Sequence, residues 1–262
     1  MKSLQTAIWV EYLKICKSRV FWLSVVFFAF TPCMFSLLFF VQQYPDIASK
    51  LGMIGTKASM LRFGKADWPN YFNILNQGIA AISLIGFGFI TSWVFRREYT
   101  ERTLKDIIAL PILRTYIVIS KFVIIFVWSV ILSIVFIGIG ILCGIAIKIP
   151  DWSNGIILEY LNKFLIIALL STLLFSPVAF LASFTNGYLL PIGFVILTMI
   201  MANFSGLVGL GPYFPWAIPG IYSLPSGTEN MHLGLISYSI LSITCILGVI
   251  ATIAWWKYAD QK

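Results

Sequence analysis

Six long runs of apolar residues in this chain contain no Asp, Glu, Lys, Arg or His. About 20 apolar residues are enough for an α-helix to cross the hydrocarbon core of a bilayer. The strands of a membrane β-barrel would instead alternate apolar and polar residues over about 10 positions, whereas these runs are continuous. The sequence therefore predicts an all-α polytopic membrane protein. The predicted spans are residues 20–41, 72–95, 122–147, 164–185, 188–210 and 234–256.

The composition agrees with this class and leaves little room for a soluble module. Hydrophobic residues make up 60% of the 262 positions and charged residues 11%, whereas about 25% of the residues in a soluble protein are charged. The longest part without a predicted span, residues 42–70, is too short for a catalytic domain. We therefore expect residues 1–262 to form a single transmembrane domain.

Residues 1–19 precede the first span and predict an amphipathic helix that lies in the membrane surface. The apolar run that follows is too long for a signal peptide and lacks a small-x-small cleavage site. Apolar residues recur at helical spacing and form a stripe along one face, which also carries Glu11. The stripe consists of Leu4, Ala7, Ile8, Tyr12 and Ile15.

The distribution of basic residues predicts that both termini are cytoplasmic. The net charge is +8, and membrane proteins carry their excess of Lys and Arg on the cytoplasmic side. With cytoplasmic termini, twelve of the 18 Lys and Arg residues fall on that side and six fall outside. This orientation explains the positive charge without a nucleic-acid partner and predicts a multi-pass protein of the plasma membrane.

Polar residues near two predicted spans are candidates for a substrate path. Such side chains in a membrane either hydrogen-bond between helices or line a wet cavity, and the sequence leaves both open. The loop of residues 211–233 is apolar but broken by Pro and Gly, which predicts a short re-entrant or interfacial structure. The candidates are Asn73, Asn76 and Gln77 on one helical face, Asn203 and Ser205 near the end of the fifth span, and Trp216 in that loop.

Residues that commonly bind metals or perform catalysis are isolated in this sequence. His232 is the only histidine, and the four cysteines have no metal-binding spacing. We therefore predict no metal site and no catalytic residue.

One charged segment, "REYTERTLKDIIALPILRTYIVISK" at residues 97–121, separates the second and third predicted spans. Thr103 and Asp106 have the spacing of a capping box, apolar residues follow, and Pro111 ends or bends a helix. We expect a short amphipathic helix over residues 101–110. Such a helix suits a membrane surface and a groove in a partner protein equally well.

This segment resembles the signature of type-2 ABC exporter permeases. The matching residues are Glu98, Thr103, Leu104, Lys105, Leu110, Pro111, Arg114 and Lys121. In that family the segment forms the coupling helix that docks into the ATP-hydrolysing subunit. The resemblance implies that residues 97–115 couple this chain to such a subunit. The residues assigned to this coupling are Arg97, Glu98, Glu101, Thr103, Leu104, Lys105, Ile108, Leu110, Pro111 and Arg114.

The resemblance extends over the whole chain, because the N-terminal helix, the six spans and the broken loop also match the family plan. The stretches "GKADWPNYFNILNQ" and "GPYFPWAIPG" resemble the branch of bacitracin-export and peptide-antibiotic immunity permeases. This implies one permease of a homodimer or heterodimer that moves an amphipathic substrate outward: a peptide antibiotic, a lipid-linked molecule or a drug. The sequence has no G-x-x-x-x-G-K-[ST] motif, so the implied ATP and Mg would be bound by a separate ATPase subunit, and this chain itself would not be an enzyme.

Two other functions stay open at this point. A secondary transporter normally needs ionisable residues within its spans, and the six runs contain none. A membrane partner or sensor without transport activity is a further alternative, since a coupling helix can also serve for recruitment alone.

Overall fold

A computed structural model gives the fold of the chain and describes residues 2–50, 65–101, 103, 113–185, 187–225 and 233–258. All regular secondary structure in these ranges is helical, and six helices are long and apolar enough to cross a membrane. The predicted all-α polytopic architecture is thereby confirmed. The helices are α1 (Lys2–Cys16), α2 (Arg19–Gln43), α3 (Pro45–Lys50), α4 (Trp68–Thr100), α5 (Arg114–Ile147), α6 (Asn154–Leu173), α7 (Ser176–Phe184), α8 (Leu189–Leu207), α9 (Ile218–Ser223) and α10 (Leu235–Tyr258).

Helix α4 is the centre of the fold. Its most apolar stretch is 67% buried, against 22% for α2 and 17% for α8. Small residues let its neighbours approach closely, as is usual between membrane helices. A Cβ atom at Gly86 would lie 2.6 Å from the Phe28 ring of α2, and one at Gly88 would lie 2.5 Å from Val195 of α8.

Helices α4 and α5 both extend beyond the predicted spans. The start of α4 is capped by Asp67, whose carboxylate accepts from the Asn70 amide at 3.0 Å. At its other end, Arg97–Thr100 form the last turn of α4, and Glu101 is the C-terminal cap, whose amide makes the last helical hydrogen bond to the Arg97 carbonyl at 2.8 Å. The charged segment therefore begins as part of the second span and not as a separate helix. Most of the short helix predicted over residues 101–110 lies outside the described residues.

The fourth membrane-crossing unit is broken into α6 and α7. Pro177 lies in the first turn of α7 and has no amide hydrogen to continue the α6 ladder. The Ser176 hydroxyl donates to the Cys245 carbonyl of α10 at 2.9 Å. Helix α10 crosses close to this break, because a Cβ atom at Gly248 would lie 2.6 Å from backbone atoms of Ser176 and Pro177.

The described part of the loop after α8, residues 208–225, packs against the spans, as predicted from its apolar residues. Two 3-10 turns, Gly211–Tyr213 and Pro215–Ala217, lead into α9, which contacts α4 and α6. Ile218 is fully buried. The depth of this loop in a membrane stays a prediction.

Helix α1 lies where the sequence predicts it, but much of its apolar stripe is directed toward the protein. It packs against α5 and buries Glu11 and Ile15. Tyr12, a member of the same stripe, is exposed and stacks on Trp9 with ring centroids 5.5 Å apart. Whether α1 rests on the membrane surface stays a prediction.

Candidate functional site: a buried ion cluster where α4 ends and α5 begins

Five charged side chains meet where α4 ends, α5 begins and α1 packs beside them. Glu98, Lys121 and Glu11 are 1%, 0% and 3% exposed. Burying a charge is costly unless the charge is paired and hydrogen-bonded. The helices can therefore pack here only because these charged groups contact one another. The cluster consists of Glu11 and Lys14 of α1, Arg97 and Glu98 of α4, and Lys121 of α5.

Two carboxylates are bridged by three cations in this cluster. Lys121 Nζ lies 2.7 Å from Glu98 Oε1 and 3.5 Å from Glu11 Oε2, and it also donates to the Val94 carbonyl at 3.2 Å. Lys14 Nζ lies 2.9 Å from Glu11 Oε1 and 3.2 Å from Glu98 Oε1. Arg97 Nη2 completes the set at 3.3 Å from Glu11 Oε2. Glu98 thus contacts cations from two other helices, and Glu11 contacts cations from its own helix and from two others.

The electrostatics of the cluster keep the residues of α1 ionised at neutral pH. Burial raises the pKa of Glu11, but the positive charges of Lys121, Lys14 and Arg97 more than offset this and lower the pKa to about 2. Burial lowers the pKa of Lys14, whereas Glu11 and Glu98 raise it, with a net shift above its ordinary value.

The ion pairs of the cluster join helices that are far apart in the sequence. The pair Glu98–Lys121 ties the end of α4 to the start of α5, and so holds both flanks of the predicted coupling segment. The Glu98 carbonyl also accepts from the Thr103 amide at 3.1 Å. Arg114 Nη1 donates to the Trp256 carbonyl at 3.4 Å, which adds the end of α10. The described ends of the segment are thus joined to α4 and α10.

A separate cavity of about 410 Å³ lies between α4, α8 and α9. Its polar lining comes from Gln77 of α4, Asn203 of α8, and Trp216 and Ser223 next to and within α9. The described lining residues carry no charge. Such a cavity suits an uncharged or amphipathic ligand with amide or hydroxyl groups.

Comparison with known proteins assigns this chain to a family. The family model described as ABC-2 family transporter protein matches residues 7–204, which is well over half of the chain. The chain belongs to the ABC-2 transporter family. A curated relative of this ABC-2 permease is the bacitracin transport permease protein BCRB of Bacillus licheniformis. The two are 29% identical over 184 residues, which cover 68% of this chain and 87% of the relative. No solved structure matches the chain.

Family membership confirms the resemblance read from the charged segment, including the bacitracin-related branch. The protein is a membrane-spanning permease subunit of an ABC transporter, and the family implies partner subunits that hydrolyse ATP.

The structure places the predicted coupling residues of the permease in different environments. Arg97 and Glu98 are directed into the ion cluster, so their side chains are not available for direct contact with a partner. Glu101 is exposed at the end of α4. Thr103 and Arg114 make the contacts given above. The remaining predicted residues lie outside the described part of the chain: Leu104, Lys105, Ile108, Leu110 and Pro111.

Of the six predicted substrate-path residues of the permease, three line the cavity and three do not. Gln77, Asn203 and Trp216 line the cavity together. Asn76 is fully buried and Asn73 is 9% exposed, because both are directed away from the cavity into the packing around α4. The Ser205 hydroxyl donates to the Ala202 carbonyl of its own helix at 2.9 Å and is not part of the lining.

Three members of the ion cluster are absent from the predicted site of the permease: Glu11, Lys14 and Lys121. A signal for Glu11 exists in the sequence, since it is the one charged residue on the apolar stripe of α1. An acid on an apolar face needs a buried cation as its partner. Lys121 is the last residue of the charged segment and matches the family pattern, but its complete burial follows only from the packing.

Proposed function

We propose that this chain is the permease of an ATP-driven exporter, powered by a separate ATPase subunit that docks on residues 97–115. The observation that carries the proposal is the buried ion cluster. It clamps both flanks of this segment to each other and to α1. A force applied there by a partner acts on buried, hydrogen-bonded charges and not on a loosely attached loop.

Helix α4 provides the connection from the ATPase side to the substrate. It is continuous from Trp68 to Thr100, and Glu98 and Gln77 are separated by about 30 Å along its axis at the usual rise per residue. The ATPase subunits bind ATP and Mg and close on each other. Residues 97–115 move with them, and α4 carries this displacement to the cavity lined by Gln77.

The substrate of the proposed exporter is amphipathic. Carboxamides from Gln77 and Asn203, the indole of Trp216 and the hydroxyl of Ser223 supply polar groups in a mostly apolar cavity. This composition suits a peptide antibiotic, a lipid-linked molecule or a drug. Because the named relative is a bacitracin transport permease, bacitracin is the first substrate to try. A second permease, identical or different, completes the transporter, and both termini are cytoplasmic.

The test is to separate ATP hydrolysis from transport in cells and vesicles that contain the permease and its ATPase. Glu98→Ala and Lys105→Glu are expected to lower bacitracin tolerance and transport about tenfold or more while part of the ATP hydrolysis persists, a loss of roughly 1.4 kcal/mol in coupling. Lys257→Glu, an exposed charge reversal at the end of α10, is the control and leaves transport unchanged. Unchanged transport in both test variants would overturn the proposal.

A further inference from the structure

Two thiols lie against each other between α2 and α5, at the end of α5 that is remote from the ion cluster. The Sγ atoms of Cys33 on α2 and Cys143 on α5 are 3.8 Å apart, although 110 residues separate them in the sequence. Cys143 is about 33 Å from Lys121 along the axis of α5 at the usual rise per residue. The thiol pair is therefore separate from the charged site described above.

Hydrogen bonds fix both helices within about one turn of the thiol pair. Ser36 follows Cys33 on α2, and its hydroxyl lies 2.6 Å from the hydroxyl of Tyr71 on α4. The Tyr71 hydroxyl donates to the carbonyl of Gly140 at 2.7 Å, and Gly140 precedes Cys143 on α5. Tyr71 has no exposed surface. The contact between the two sulfurs thus lies beside a buried bridge that joins α2, α4 and α5.

The ends of the same two helices are joined as well. The Tyr44 hydroxyl, at the end of α2, donates to the Ile147 carbonyl at 3.3 Å. Gln43 Nε2 donates to the Lys148 carbonyl at 3.2 Å. Because α2 and α5 are tied at their ends and beside the thiols, the two sulfurs are held close together by the native packing.

A pair of thiols can bind a metal ion or be oxidised to a disulfide. Two thiolates would bring two negative charges into an apolar interface, where burying charge is costly. Among the described residues, no group of three or more His, Cys, Asp or Glu could hold a metal ion. A disulfide is uncharged, as are the two thiols that it replaces. The surroundings of Cys33 and Cys143 therefore favour oxidation.

We propose that Cys33 and Cys143 form an oxidisable pair that dioxygen converts into a disulfide between α2 and α5. Two S–H bonds break, one S–S bond forms, and dioxygen takes up both hydrogens and both electrons to become hydrogen peroxide. The sulfurs have to approach from 3.8 Å to the bonded distance of about 2.05 Å, which rotation of the two side chains supplies. Dioxygen is small and apolar, so it dissolves in the hydrocarbon of a membrane.

The pairing is tested by mapping disulfides in the wild-type protein. The reduced protein is exposed to air with copper–phenanthroline, which catalyses the oxidation of thiols by dioxygen, and is then denatured and alkylated with N-ethylmaleimide. Peptides are digested without reductant and identified by mass spectrometry. We expect Cys33 and Cys143 to lose the alkyl label and to appear in one linked pair of peptides, whereas Cys16 and Cys245 keep the label. All four cysteines are half-buried, so exposure does not select the pair.

Two substitutions serve as matched controls for this mapping. Cys33→Ser leaves Cys143 labelled after oxidation, and Cys16→Ser leaves the link between Cys33 and Cys143 unchanged. Label retained on both Cys33 and Cys143 of the wild type overturns the proposal. Links that include Cys16 or Cys245 as often as the expected pair also overturn it, because the thiols then meet by chance collision.

A second measurement distinguishes a packed pair from sulfurs that meet only when the helices shift. A disulfide that forms without displacing α2 and α5 constrains the unfolded chain over a long loop. We therefore expect oxidation to raise the midpoint of thermal unfolding by about 5–10 °C. Cys143→Ser, treated in the same way, shows no rise. A wild-type midpoint that stays the same or falls after oxidation overturns the proposal, because the disulfide has then trapped displaced helices.

Discussion

Lys121 shows, at the scale of one residue, how an otherwise apolar fold accommodates a charge. An ammonium group has three hydrogens to donate, and three oxygens surround this one: Glu98 Oε1, the Val94 carbonyl and Glu11 Oε2. The side chain has no exposed surface. Removing one acceptor therefore leaves one hydrogen of a buried ammonium group without a partner.

Glu98→Gln is expected to lower the free energy of unfolding by about 3–5 kcal/mol, the usual effect of breaking one side of a buried pair. Thermal unfolding in detergent measures the loss. Glu101→Gln, three residues away and exposed, is the matched control and stays within about 0.5 kcal/mol of the wild type. The double variant Glu98→Leu with Lys121→Met removes both charges and is expected to be more stable than Glu98→Gln, because apolar replacements of a whole pair are often neutral. A double variant less stable than the single one would contradict this account.

Glu11 gives the attachment of α1 a defined acid limit. Its pKa is lowered from 4.5 to about 2 in the folded protein, so its ionised form stabilises the fold fully above pH 4.5. This contribution is lost as the pH falls from 4.5 to about 2. The protection of the α1 amides against hydrogen exchange, taken relative to their intrinsic exchange rate at each pH, should therefore fall across this window. Glu11→Gln abolishes this fall in protection, and Glu159→Gln, an exposed acid, retains it. Equal pH dependence in Glu11→Gln and the wild type would refute this role.

At the scale of helices, the sequence predicts the elements well and their ends less well. Charge-free runs mark the six spans, because an ionisable side chain in the hydrocarbon core is costly. The same rule ends the second predicted span before the charged segment and begins the third predicted span after it. In the structure α4 continues into the segment as far as Thr100, and α5 already begins at Arg114. These extra turns are stabilised by the ion cluster, whose pairs join residues as far apart as Glu11 and Lys121. Local sequence does not contain that information.

The crossing of α7 and α10 is a close contact between helix backbones that a single substitution can test. Gly248→Ala places a methyl group 2.6 Å from the backbone of Ser176 and Pro177, which cannot move aside as a flexible side chain can. We expect a loss of about 1–3 kcal/mol in the free energy of unfolding, typical of overpacking. Gly138→Ala on α5 is the control: its new methyl group meets nothing within 4 Å and gains up to about 1 kcal/mol of helix propensity. Equal stability of the two variants would show that α7 and α10 do not pack in this way.

At the scale of the whole molecule, sequence predicts the class and family but not the arrangement. All six spans are similarly apolar because the lipid and the protein interior are both apolar, so hydropathy does not reveal that α4 is central and α8 peripheral. For the same reason Asn76 and Gln77 are equivalent in sequence, although one is buried and the other lines the cavity. The charged segment is different, because its pattern of residues carries a family resemblance that the comparison confirms.

The central claim is that an ATPase subunit binds the segment between α4 and α5 and drives this permease. The most direct test is to tag the chain, extract it gently from its native membranes and identify the proteins that accompany it by mass spectrometry. We predict a stoichiometric partner that carries a P-loop ATPase motif and is lost on Leu104→Asp in the segment but retained in Lys257→Glu. Absence of any such ATPase, even after mild crosslinking, would contradict the account and favour a membrane partner without transport activity.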